Sequence, residues 1–345
     1  MNLANDAYCI GRGVAAIRGR DGVATTPFLE RILSGFAVEI LEEAKGNGST
    51  FPSVTGDRLR KKAFLLPPML EQLRIAEVLS TLDETIEQTG VLIAKYQQIK
   101  TGLMNDLFTR GVTPDGRLRP NRLHAPHLYK ESPLGWIPME WRSCLLQDCI
   151  GASRPIVYGI LMPGLSVAGG VPVVKVKDIV DGEIQTGDLL LTSPSIDAEY
   201  QRSRLRAGDI LLTIRGTVGR IASVPGVLDG ANITQDTARI GIVSGEPEFF
   251  RYYLESAGVR AYLAVNTLGV AVQGINLRDV RLIPVPLPPP DEQRAIVARL
   301  TAITDAISTE SQSVRKFRHQ KLGLMHDLLT GRVRVSVTDS EGVPA

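Results

Sequence analysis

Leu66-Pro67-Pro68-Met69-Leu70-Glu71-Gln72 decides the fold, because it returns 221 residues later as Leu287-Pro288-Pro289-Pro290-Asp291-Glu292-Gln293. The same offset carries Gly102-Leu103-Met104-Asn105-Asp106-Leu107 onto Gly323-Leu324-Met325-His326-Asp327-Leu328 without a gap. It also pairs Ile75 with Ile296, Leu79 with Leu300, Lys100 with Lys321 and, upstream, Phe28-Leu29 with Phe249-Phe250. Solenoid repeats run about 20–50 residues, so this period means a duplicated module. Each copy is a variable domain followed by a strongly patterned segment.

The patterned segment reads as a helix. Pro67-Pro68 hold an extended approach. Apolar residues then fall at 75, 79, 82, 86, 93, 96, 103 and 107, and with Thr89 and Lys100 they form a heptad seam. The second copy gives Ile296, Leu300, Ile303, Ile307, Glu310, Val314, Phe317, Lys321, Leu324 and Leu328, with Gly111 and Gly331 as stops. Some 40 residues make each helix roughly 60 Å long. Two such seams in one chain pack most simply on each other. An antiparallel register whose residue numbers sum to 410 sets Ile86 on Leu324 and Tyr96 on Val314. It also sets Lys100 against Glu310 and Thr89 against Lys321, polar layers that would fix the register. The competing reading is that both lysines snorkel to solvent.

With 345 residues, 22% charged and 43% hydrophobic, the composition is globular and roomy enough for about two domains. Lys+Arg 39 against Asp+Glu 37 gives no overall basic field, so a nucleic acid would be met by local patches. Three scattered cysteines, Cys9, Cys144 and Cys149, build no disulfide framework and point to a reducing, cytoplasmic setting. Met1–Ile10 lacks the basic start and apolar core of a signal peptide. Pro155–Val174 is uncharged, but its three prolines and four glycines argue against a membrane-spanning helix. From Gly135 to Pro286 the text is β-like, as in Val171–Lys177, Asp209–Arg215, Arg220–Val224 and Ala238–Val243. One helix, Pro247–Ala264, interrupts it. The fold class is therefore α+β, a β-rich variable domain joined to two long helices in an antiparallel coiled coil.

These motifs resemble the specificity subunit of type I restriction-modification systems. The resemblance rests on Ser132-Pro-Leu-Gly135 with Ile137-Pro138 and Trp141, on Gly208-Asp-Ile-Leu-Leu-Thr-Ile-Arg-Gly-Thr-Val-Gly219, on both Pro-Pro-x-x-Glu-Gln helix starts and on the Leu-Met-x-Asp-Leu-x-Thr endings (103–109 and 324–330). It implies two target-recognition domains, each followed by a conserved helix. Residues 1–65 are then the C-terminal remnant of a first recognition domain and 66–112 the first helix. A linker, 113–131, leads to a complete second recognition domain, 132–286, then to the second helix, 287–332, and a tail, 333–345. Two full periods span 442 residues against 345 here, so the first recognition domain is expected to be truncated at its N-terminus. Strand edges exposed that way would invite a further copy of the chain, making a homo-oligomer. The resemblance also implies a non-catalytic subunit that reads part of a bipartite double-stranded DNA target. It would scaffold two modification (methyltransferase) subunits and, through them, restriction subunits. S-adenosylmethionine, ATP and Mg then belong to those partners. The alternative is a coiled-coil assembly protein without DNA contact, or an inactive or interfering truncated subunit.

Within the recognition domain, Arg215 and Arg220 flank a Gly-bounded turn and can reach phosphate or guanine edges, while Thr213 and Thr217 offer hydroxyls. Asn232 and Gln235 carry amides suited to adenine, and Gln273 sits in a Gly-rich loop as a further candidate DNA contact. Lys175 and Lys177 alternate on one strand face, which suits phosphate. A solvated surface or turn role competes at each position. Gly11-Arg12-Gly13-Val14-Ala15-Ala16 looks like a dinucleotide fingerprint but lacks the βαβ unit around it. His124, His127, Cys144 and Cys149 have poor metal-ligand spacing, and no metal site is expected. Phosphate-loop, amino-methyltransferase and nuclease motifs are absent from the sequence, which argues against catalysis.

Overall fold

The computed structural model describes residues 3–4, 6–11, 13–45, 54–269 and 273–336. It divides into two compact units, one built from 1–95 with 307–345 and the other from Tyr96–Ala306. The two patterned segments are unbroken helices, Met69–Thr109 and Pro290–Leu329. Gly111 and Gly331, at φ +64° and +71°, stand just past their ends, in the left-handed conformation that ends helices without a Cβ clash.

In the first unit, helix Thr26–Gly35 is capped by Thr25, whose side chain accepts from Phe28 N. It buries Phe28 and Ile32 in one core with Ile75 and Leu79 of the first long helix and Leu328 of the second. Early residues of one long helix thus meet late residues of the other, so the pairing is antiparallel. Each of these side chains contributes about 1.5–3 kcal/mol by leaving water. Gln72 ties the approach segment down, donating to the carbonyls of Val23 and Pro67 and accepting from Thr25 N. Arg31 reaches Ser80 and Asp83 of the first long helix.

The second unit repeats this wiring one period on. Gln293 donates to the Pro288 carbonyl and accepts from Glu246 N, the counterparts of Pro67 and Thr25. Tyr252 replaces Arg31, and its hydroxyl lies 3.3 Å from Thr301 and 3.4 Å from Thr304, the counterparts of Ser80 and Asp83. Met104, Leu107 and Phe108 share a core with Ile296, Leu300, Phe249 and Phe250, again late residues with early ones. Phe108 meets Phe249 and Tyr253 edge to face.

The expected polar layers are corrected. Lys321 bonds Asp83, not Thr89, whose hydroxyl donates to the Thr85 carbonyl in its own helix. Lys100 lies 3.6 Å from Glu255 and over the Tyr252 ring, and among the described residues Glu310 is not its ion partner. The physical reason is that helix Pro247–Leu254 presses on the long helix at this level, bringing its own acid within the lysine's reach. The predicted helix Pro247–Ala264 is likewise two helices, Pro247–Leu254 and Ala257–Asn266. Ser256 caps the second by accepting from Val259 N.

The β-rich part holds a four-stranded antiparallel sheet in the order Ile221–Ser223, Ile210–Thr213, Thr237–Ile240, Val157–Tyr158. A three-stranded sheet places Val171–Val174 between Asn232–Ile233 and Leu190–Thr192. Arg142–Leu145 pairs with Pro284–Leu287, and Tyr129–Ser132 with Gly135–Pro138 form a hairpin. Pro155–Val174 therefore supplies strands and loops, and no helix among the described residues is long and apolar enough to cross a membrane. The tail is described only to residue 336, and the fingerprint-like Gly11–Ala16 has Arg12 outside the described residues.

Candidate nucleic-acid interface

Strand Ile210–Thr213 leaves the four-stranded sheet at Ile214 and returns as Ile221–Ser223, so residues 214–220 project from one end of it. The turn is held from within. Buried Thr213 donates through its hydroxyl to the Thr217 carbonyl and accepts from Arg220 N, and Gly219 N donates to the Thr213 carbonyl. Gly216 and Gly219 sit at φ +75° and +95°, so this path requires glycine.

Two other segments converge on the turn. The Asp236 carbonyl accepts from Ile214 N at 2.8 Å and Arg215 N at 3.3 Å, and the Gln273 carbonyl accepts from Gly216 N at 2.9 Å. Arg215 also bridges to Gly274. Arg215, Thr217 and Gln273 present exposed side chains here, and Gln235, beside Asp236, is half-buried. Among the described residues Arg215 has no ion-pair partner. A shallow cleft of about 350 Å³ runs from Val218 and Gly219 to Gln273 and is edged by Arg260 and Thr267. A second, of about 360 Å³, lies between Arg215, Leu268 and Asn276. Such a cluster offers a guanidinium fork for guanine or phosphate, a carboxamide for adenine and a hydroxyl for phosphate, all on closely approachable backbone.

The other expected contacts are engaged inside the fold. Arg220 donates to the carbonyls of Val176 and Ile179, clamping the turn after strand Val171–Val174. Thr213 is buried beneath the loop. Asn232 is fully buried, donating to Asp197 and the Tyr200 carbonyl while its oxygen accepts from Ser203 and Ile233 N. A strand-end amide looks free in sequence, but here it fills the polar gap under helix Pro194–Glu199. Lys175 and Lys177 do not alternate along a strand, because the strand stops at Val174 and a 3-10 turn begins at Val176. Lys177 is exposed and Lys175 half-buried. Asn232→Ala is expected to lower stability by about 1–2 kcal/mol, because Ser203 and Ile233 N lose their acceptor. It is expected to leave DNA affinity within about twofold, since buried Asn232 cannot touch a groove edge. Urea unfolding and gel shift together check this, and a selective loss of DNA binding would contradict the assignment.

Sequence reasoning missed Arg260 and Asn276. Both are exposed at these clefts, and Arg260 makes no ion pair among the described residues. Their positions carry no local signal, since only the tertiary approach of segment 273–276 to the turn creates the clefts. The buried Arg239 is a different case. It donates to the carbonyls of Pro155 and Arg202, and burial pulls its pKa to about 10, still cationic at neutral pH. Among the described residues no three His, Cys, Asp or Glu side chains group to hold a metal ion. Cys144 and Cys149 lie 3.5 Å apart, and their hydrogen bond holds the first thiol's pKa down and pushes the second's up.

Residues 2–96 and 165–315 match the family described as the type I restriction modification DNA specificity domain. The chain belongs to this family. The matched domain of type I specificity chains is one of DNA specificity, not a catalytic one. The type I restriction enzyme EcoBI specificity subunit of Escherichia coli is 32% identical over 295 residues, covering 82% of this chain and 60% of that protein. The type I restriction enzyme MjaVIII specificity subunit of Methanocaldococcus jannaschii is 26% identical over 301 residues, covering 85% of this chain and 67% of the relative. This specificity chain thus spans about three fifths of the length of EcoBI. Among solved structures, the type I restriction-modification S subunit from M. genitalium superposes with a TM-score of 0.55 at 16% identity, covering 88% of this chain and 72% of that one. A chain from a structure of type I system assembly and conformational transition gives 0.52 at 21%, covering 92% and 74%. At these identities both likenesses establish the fold of a specificity chain.

Proposed function

We propose that this chain is the DNA-reading and scaffolding component of a type I restriction-modification complex, acting in the cytoplasm. The second unit reads part of a bipartite double-stranded target through the loops at 214–220, 235–236 and 273–276. The two long helices dock modification subunits, and through them restriction subunits. The observation that carries the reading is the convergence of three separate segments on exposed Arg215, which has no ion-pair partner among the described residues, with Thr217 and Gln273 beside it. S-adenosylmethionine, ATP and Mg serve the partner subunits in this reading. A scaffold without DNA reading is the competing proposal. In its favour, segment Ala63–Leu66, the counterpart of strand Pro284–Leu287, pairs with no strand among the described residues.

The test is to purify the chain with its modification subunits and offer the complex a pool of randomised duplexes. Enrichment of one defined sequence is expected. A complex that assembles and enriches nothing would leave the scaffold alone standing.

A further inference from the structure

Cys144 and Cys149 take no part in the reading loops, yet their sulfurs lie 3.5 Å apart. Cys144 stands on strand Arg142–Leu145, opposite Val285, and Cys149 ends the 3-10 turn Leu146–Cys149. Backbone hydrogen bonds fix the short path between them. Leu145 N donates to the Asp148 carboxylate, Leu146 N to the Ile283 carbonyl and Ile150 N to the Gln147 carbonyl. The Cys149 carbonyl accepts from Val243 N at 3.0 Å and Ser244 N at 3.4 Å, which pins that end as well. The fold itself, and not a flexible loop, holds the two sulfurs together.

The two thiols differ in the way a reactive pair needs. Cys144 is half-buried and so partly open to solvent, whereas Cys149 is buried in the core of the second unit. A Cys144 thiolate accepts from the Cys149 S–H. That bond holds its pKa below the ordinary thiol value, against burial and the nearby Asp148 carboxylate, and the Arg142 guanidinium acts in the same direction. The thiolate is the form that attacks an oxidant. The same bond and burial push Cys149 up, so it keeps its proton until its neighbour has reacted. Simple packing of two small apolar side chains would need neither the open sulfur nor this division of roles.

We propose that Cys144 and Cys149 form a reversible oxidation site whose substrate is a small hydroperoxide. The Cys144 thiolate attacks one peroxide oxygen. An S–O bond forms, the O–O bond breaks, and the alkoxide leaves with the proton that Cys144 gave up. The Cys149 sulfur then attacks the Cys144 sulfenic acid. The S–S bond forms, the S–O bond breaks, and hydroxide departs with the Cys149 proton as water. Both thiols have lost hydrogen, and the peroxide has accepted the electron pair to become an alcohol and water. Reaching the disulfide length of about 2.05 Å moves each sulfur by under about 1 Å. A dithiol reverses the step by attacking the outer sulfur, Cys144, with Cys149 as leaving group. The cross-link ties strand Arg142–Leu145 to the turn that holds residues 243–244, and so stiffens the second unit. In a reducing setting such a disulfide is transient and reports the oxidant. The inference does not depend on DNA reading.

The test uses the full-length protein carrying Cys9→Ser, which leaves Cys144 and Cys149 as its only cysteines. Hydrogen peroxide in slight excess is expected to remove the mass of two hydrogen atoms from the peptide that carries both, and to protect both from iodoacetamide. Dithiothreitol is expected to restore the mass and the labelling. The oxidised protein is expected to unfold at higher urea, followed by tryptophan fluorescence. In a Cys149→Ala variant, dimedone is expected to trap a sulfenic acid on Cys144. Peroxide that leaves both thiols free would overturn the inference, as would sulfinic acid on Cys144 beside an unreacted Cys149 in the parent protein. So would a disulfide that forms only in urea, because the unfolded chain and not the fold would then bring the sulfurs together. A cross-linked protein with an unchanged urea midpoint would overturn the stiffening.

Discussion

Glu292→Ala is expected to lower the unfolding free energy of the second unit by about 3–5 kcal/mol. The carboxylate is the hub of a buried cluster. It takes the Arg119 fork, whose side chain is 6% exposed, together with Val112 N at 2.8 Å and the Trp141 indole at 3.0 Å. Burial alone would lower the Arg119 pKa, but the hydrogen bond and charge of Glu292 raise it instead, so the guanidinium is firmly charged. Removing Glu292 leaves that charge only the more distant Glu140, at 3.6 Å, and the Arg110 carbonyl, and it leaves two neutral donors without an acceptor. Breaking one side of a buried pair costs far more than the pair's net worth. Gly111 belongs to the same device, since a Cβ there would overlap the Glu292 carboxylate and the Trp141 ring. Glu71→Ala, at the equivalent position, removes the one hydrogen bond that Glu71 accepts among the described residues, from Val335 N, and is expected to cost about 1 kcal/mol. The measurement is direct for Glu292, because both tryptophans of the chain, Trp136 and Trp141, lie in the second unit. Urea unfolding followed by tryptophan fluorescence reports that unit, and far-ultraviolet circular dichroism reports the whole chain. Equal effects at Glu71 and Glu292 would contradict the asymmetry drawn from their partners.

That asymmetry shows what sequence can carry and what it cannot. The repeat was legible because identical jobs at the helix starts demand identical residues. Gln72 and Gln293 must each hold a Pro-Pro segment by its carbonyl, and only an amide both donates and accepts there. The long helices were legible through their heptad seams and their terminal glycines. Their polar layers were not, because Lys100 and Lys321 answer to whatever lies beside them in three dimensions, Glu255 and Asp83. The candidate site divides in the same way. Gly216 and Gly219 announce a tight turn, and Arg215 just before it and Thr217 within it are exposed. Arg220 and Asn232 are chemically as suited to DNA as their neighbours. Whether a guanidinium faces a groove or a carbonyl depends on the packing of segments far apart in sequence, here Val176–Ile179 and Asp197–Ser203.

Arg215→Ala is expected to reduce the affinity of the assembled complex for its selected sequence by about 10–100-fold, the worth of one well-placed guanidinium on a guanine. Stability should stay within about 0.5 kcal/mol, because the side chain is exposed and makes no ion pair among the described residues. Arg220→Ala should behave in the opposite sense, loosening the turn by freeing two carbonyls and changing affinity only through stability. Salt dependence then separates the two ways in which Arg215 could act. A phosphate contact would lower the slope of log affinity against log salt by about one and weaken all sequences alike. A base contact leaves the slope near its original value and relaxes selection at one position of the target. The latter is expected, because Arg215 shares its loop cluster with Thr217 and Gln273 and not with a line of cations. Gel shifts on the selected duplex and its single-position variants, each across a salt series, decide it. An Arg215→Ala complex with unchanged affinity and unchanged selection would remove the turn from the reading surface.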